Sequence, residues 1–61
     1  MNDELRKKVK MLKVFQDIKY KEIAEYLEIR VNSLYNWLRG QYEFSDERLT
    51  RLAEIVNALS E

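Results

Sequence analysis

Residues 20–40 read YKEIAEYLEIRVNSLYNWLRG. Two short helices joined by a tight turn fit this stretch. In the first, about Tyr20 to Leu27, the side chains of Ile23, Ala24 and Leu27 share one side, while Glu22, Glu25 and Glu28 point elsewhere. Ala24 matters by being small, because a bulky side chain there would hold the following helix away. Glu28-Ile29-Arg30 is the expected turn, with apolar Ile29 plugging the gap between the two helices. The second helix is expected from Val31 or Asn32 to Arg39. Leu34, Trp37 and Leu38 form its buried side, and Trp37 reads as a core anchor rather than a ligand platform. Gly40, the only glycine, stands where a left-handed residue ends a helix without steric cost.

The flanking segments read as support for that pair. A first helix is expected to start with Asn2 or Asp3 as its cap and to run to about Asp17, with Asp3 and Glu4 favouring the positive end of its dipole. Leu5, Val9, Leu12 and Phe15 are spaced four, three and three apart, so all four are expected in the core. Arg6, Lys10 and Lys13 share another face, which is either a solvated flank or one that contacts phosphates. Met11, Val14 and Ile18 widen the apolar arc beyond what one neighbour requires. Part of that arc is then exposed or covers a partner. After Gly40, Gln41 to Phe44 reads as a loop. Ser45-Asp46-Glu47 opens a last helix, with Phe44 placed to staple onto Leu49 or its neighbour. Leu49, Leu52, Ala53, Val56 and Leu59 make one face of that helix, with Ile55 at its edge.

Composition bounds the function. Sixty-one residues make one domain, near the lower limit for an unstapled core. Pro is absent and helix formers dominate, so the fold class is all-α, a bundle of four or at most five short helices. Without Cys or His there are no disulfides, and the commonest zinc and catalytic ligands are missing. No cofactor, metal or small-molecule ligand is expected, and no constellation for catalysis presents itself. No apolar run reaches membrane-spanning length and the N-terminus lacks a signal-peptide core, so a cytoplasmic protein, bacterial or made in the host of a phage, is expected. Eleven basic and eleven acidic residues cancel, which counts against binding nucleic acid by bulk charge alone. The charge is segregated, however. Residues 1–21 hold seven Lys/Arg against three acids (+4), and residues 43–61 hold two against five (−3).

The intervals of Ala24, Ile29, Leu34 and Trp37 suit a helix-turn-helix. With EIAEYL, SLYNWLRG and SDERLTRLAEIVNAL as its three helical segments, the chain resembles the phage repressor and Cro family, also called the XRE family, over roughly residues 5 to 59. The resemblance implies a lambda-repressor-like transcriptional regulator, acting as a homodimer on double-stranded DNA, whose second motif helix lies in the major groove. It places Val31, Asn32 and Asn36 as base readers. It places Arg30, Ser33, Tyr35 and Arg39 at backbone or nearby bases, and Tyr20 and Lys21 where the first motif helix meets phosphates. The residues themselves agree in part: Asn32, Asn36 and Arg39 fall opposite Leu34 and Trp37. Asn can bond an adenine edge twice, and Arg can bond guanine or clamp a phosphate. Three positions depart from the family pattern. Glu28 stands where the turn normally opens with Gly, Arg30 where a small polar cap is usual, and no length remains after Leu59 for the fifth helix that often builds the dimer contact.

A different class of function competes with this reading. Zero net charge, the acidic C-terminal half, and apolar or aromatic residues left over from the core (Met11, Tyr26, Tyr42, Ile55) would suit a protein-binding module on the same scaffold, such as a phage modulator of a host protein.

Overall fold

The computed structural model describes residues 1–60 and contains four α-helices: α1 (Asn2–Gln16), α2 (Tyr20–Leu27), α3 (Val31–Leu38) and α4 (Asp46–Leu59). Helix α1 lies against α4, and α2 packs against both α3 and α4. The core takes Leu5, Val9 and Leu12 from α1, Ile23, Ala24 and Leu27 from α2, Leu34, Trp37 and Leu38 from α3, Phe44 from the loop, and Leu49, Leu52 and Val56 from α4. Each set follows the 3.6-residue period that puts one stripe of a helix inward. No side-chain polar atom among the described residues is buried without a partner.

Each of the first three helices ends on a left-handed residue. Asp17 (φ 55°), Glu28 (φ 61°) and Gly40 (φ 81°) are these residues. The ends of α2 and α3 share one hydrogen-bond pattern. Glu28 and Ile29 donate their N–H groups to Glu25 and Ala24, and Gly40 and Gln41 donate theirs to Trp37 and Asn36. This paired closure satisfies carbonyls that a helix end leaves open. It also throws the chain sideways, so that α3 starts after only Glu28, Ile29 and Arg30. Ile29 is half-buried against the core, as its place in the turn requires.

Several expectations need correction. Phe15 does not enter the core; it is 75 % exposed, because the buried stripe of α1 is centred on Leu5, Val9 and Leu12 and Phe15 falls at its edge, on an open groove beside Val56 and Asn57. Neither Asn2 nor Asp3 caps α1. Met1 precedes its first turn, and Asn2 is turned across to α3 and the loop. Tyr42 is not left over: its hydroxyl donates to the Ser33 carbonyl at 2.8 Å, and its ring meets Phe44 edge-on. Phe44 is buried and stacks flat on Trp37, with centroids 4.4 Å apart. Such a pair adds about 0.5–1.5 kcal/mol beyond its buried area. Ser45 does cap α4, accepting from the Arg48 N–H at 3.3 Å.

Candidate nucleic-acid interface

α3 is held from behind by two α1 side chains. Arg6 lies half-buried against Trp37, donating from Nε to the Trp37 carbonyl at 2.6 Å and from Nη2 to the Tyr42 carbonyl at 2.8 Å. α3 has no basic residue in its own last turn, so the Arg6 guanidinium supplies the cation that its negative end favours. Asn2 Oδ1 accepts from both Trp37 Nε1 and the Phe44 N–H. Arg6 therefore belongs neither to a solvated flank nor to a phosphate-contacting one. It is a structural residue that also sits 5.1 Å over the Trp37 ring. Its ion pair with Asp3 is of little account, because that carboxylate is open to solvent.

With Leu34, Trp37 and Leu38 fixed inward, geometry decides what faces out. Asn32, Tyr35, Asn36 and Arg39 follow one another at helical spacings of three, one and three, and all four are exposed. The side chains of Asn32, Asn36 and Arg39 make no hydrogen bond or ion pair with any described residue. Arg30 and Lys21 are likewise exposed. Val31 and Ser33 are half-buried. Val31 packs against the core, and the Ser33 carbonyl is taken by Tyr42, so these two lie at the edges of the face rather than at its centre.

Tyr20 ties α2 to this face. Its ring meets that of Tyr35 edge-on, with centroids 5.5 Å apart. Burial, and secondarily the neighbouring Tyr35 phenol, raise the Tyr20 pKa above its ordinary value of 10.0. The hydroxyl is therefore a neutral O–H donor at physiological pH. Lys13 of α1 lies 4.9 Å over the Tyr20 ring. The fold thus brings one residue of the basic α1 face to the motif, a residue the resemblance does not mark, and turns Arg6 from that same face inward. Its signal in the sequence was only the spacing of Arg6, Lys10 and Lys13, which says which residues share a face but not which neighbour that face meets.

Neither motif helix carries a side-chain cap at its N-terminus, where Lys19 and Arg30 stand; α4, capped by Ser45, does. Glu28, in the turn, places its carboxylate 3.2 Å from Arg51 Nη2 on α4. The negative charge at the turn is therefore partly offset within the molecule. No helix among the described residues is long and apolar enough to cross a membrane.

Comparison with curated proteins and with solved structures yields no match. A family model described as helix-turn-helix matches residues 4–60, nearly the whole chain. That span takes in the α2–turn–α3 pair together with the α1 and α4 that support it, so the chain belongs to the XRE-type helix-turn-helix family of DNA-binding, regulator-type domains, a family not typically enzymatic.

Proposed function

We propose that the protein binds double-stranded DNA sequence-specifically as a small transcriptional repressor of a bacterium or phage, acting in the cytoplasm as a homodimer on a two-fold site. α3 lies in the major groove. Asn32 and Asn36 read base edges, with Val31 contributing apolar contact at the side of the helix. Arg39 and Tyr35 reach bases or backbone close by, and Arg30, Ser33, Tyr20 and Lys21 hold phosphates. The observation that carries this reading is the face of α3 itself: Asn32, Asn36 and Arg39 are exposed, adjacent, and free of described partners. Two Asn amides and a guanidinium left open on one helix face are the groups that pair with adenine, guanine and phosphate. Open first-turn amides on α2 and α3 add backbone donors suited to phosphate oxygens.

Selection of bound duplexes from a random pool, followed by titration at several salt concentrations, tests the proposal. A defined motif should emerge, with affinity that falls as salt rises. Asn36→Ala should cost about 1–3 kcal/mol on the selected site and relax the preference at one base pair. Arg39→Ala should weaken binding strongly as well. Purified protein that shifts neither random nor promoter DNA at low salt would overturn the reading.

A further inference from the structure

The outer face of α1 is apolar where the fold gives it nothing to cover. Met11, Val14 and Phe15 are neighbours at i, i+3 and i+4, and Val14 and Phe15 are each 75 % exposed. Exposed Lys7, Lys8 and Lys10 rim this patch on the preceding turns. Phe15, Met11 and Lys8 also line a groove that runs to Val56 and Asn57 of α4. A second apolar area lies at the junction of α2 and α4, where Tyr26, 55 % exposed, meets Ile55, Ala58 and Leu59. Its rim carries Glu47 and Glu54; Arg51, between them, is drawn to the Glu28 carboxylate.

Met11, Val14, Phe15 and Tyr26 are left out of the core, Ile55 and Leu59 pack only partly against it, and neither area includes a residue of the α3 face. They match each other in polarity and oppose each other in charge. We propose that they are the two halves of one interface, occupied by a second copy of this chain. Met11, Val14 and Phe15 of each copy seat against Tyr26, Ile55 and Leu59 of the other, and Lys7 and Lys8 face the other copy's Glu47 and Glu54. Val56 and Asn57 border the groove and Ile55, Ala58 and Leu59 the cleft, so every copy carries both halves along α4 and can offer each to its partner. The segregation of a zero net charge into a basic N-terminal third and an acidic C-terminal third is what such a pair requires. An anionic lipid surface would suit the basic patch but would repel the acidic cleft, which is why a second copy is favoured.

This interface rests on the reading of the protein as a homodimer and not on DNA binding, so sedimentation without DNA tests it separately from any duplex titration. Wild-type protein should show a concentration-dependent dimer. Phe15→Glu and Tyr26→Glu, both at exposed positions, should each raise the dimer dissociation constant by about tenfold or more while leaving the thermal unfolding of the dilute monomer unchanged. An equimolar mixture of the two variants should associate more tightly than either alone, because a mixed pair retains one contact with no substitution. Wild-type protein that stays monomeric at every concentration overturns the proposal, including a monomer that co-sediments with phosphatidylglycerol vesicles. So does a dimer indifferent to Phe15→Glu, or a mixture no tighter than its components, since that pattern means like patches meet.

Discussion

Asn2 Oδ1 accepts the Trp37 indole N–H at 2.8 Å and, with the same atom, the Phe44 backbone N–H at 3.1 Å. One oxygen at the start of α1 thereby closes the far end of α3 and the loop that follows it. Trp37 is fully buried, so its N–H has no water to fall back on. Asn2→Ala should cost about 1–3 kcal/mol, the penalty for leaving a buried donor unpaired. In a domain of this size each kcal/mol lowers the melting temperature by roughly 4–8 °C. Asn2→Asp keeps the acceptor and adds a charge that the first turn of α1 favours, so it should melt near the wild type. Thermal unfolding followed by circular dichroism separates the two variants. Equal losses would mean that the hydrogen bonds contribute little.

Arg6 and Arg39 differ in what they hold. Arg6 is committed to the Trp37 and Tyr42 carbonyls, whereas Arg39 extends from the end of α3 into solvent. Arg6→Met, which keeps much of the apolar stem, should destabilise the fold by about 1–3 kcal/mol. In protein that is still folded, it should leave the salt dependence of DNA binding unchanged. Arg39→Ala should do the reverse, with stability within about 0.5 kcal/mol of wild type and a salt slope smaller by about one if it holds a phosphate. Denaturant melts and duplex titrations at a series of salt concentrations check both halves.

The contrast bears on what could be read before the structure. Helix periodicity located the core stripes of α2, α3 and α4 because each is short, has one packed side, and carries apolar residues at the right interval. The same rule misplaced Phe15, since periodicity reports which residues share a face and not how much of that face the neighbouring helix covers. The end of α3 is marked in the sequence by Gly40, which announces a left-handed turn. The breaks at Asp17 and at Glu28-Ile29-Arg30 are placed by the sequence too, but not their left-handed geometry, because residues with a side chain adopt that conformation at a cost and so give no signal of it. The outward placement of Asn32, Asn36 and Arg39 followed from the inward placement of Leu34 and Trp37. What Arg6 and Asn2 do was beyond reach, since both act more than thirty residues away in sequence.

Tyr20 makes stability depend on pH at the alkaline end. Its folded pKa is raised, so the folded state holds the phenolic proton more tightly than the unfolded chain does. By linkage, this contribution is fully present below the unfolded value of 10.0 and is lost as pH rises through the folded value. Tyr20→Phe should therefore flatten the decline in unfolding free energy above pH 10 relative to the wild type. The measurement that matters is the difference between the two pH profiles, taken by chemical denaturation. Parallel profiles would remove Tyr20 as a source.

Glu28 and Gly40 occupy equivalent places at the ends of α2 and α3, one with a side chain and one without. Gly40 has open space where a Cβ would go, with nothing within 4 Å. Any cost of Gly40→Ala is then a backbone cost, expected at about 1 kcal/mol for a left-handed residue bearing a Cβ. Glu28 already bears that cost at φ 61°. Glu28→Ala removes the carboxylate and its exposed pairing with Arg51, worth about 0–1 kcal/mol, yet keeps the Cβ. Glu28→Gly removes all three. The difference between these two variants isolates the backbone strain, and Glu28→Gly should be the more stable by about 0.5–1 kcal/mol, the gain being reduced by the greater freedom of glycine in the unfolded chain. Their DNA affinities should match each other, because both have lost the same charge. Denaturant midpoints that place Glu28→Ala level with or above Glu28→Gly would show that the turn is held without strain.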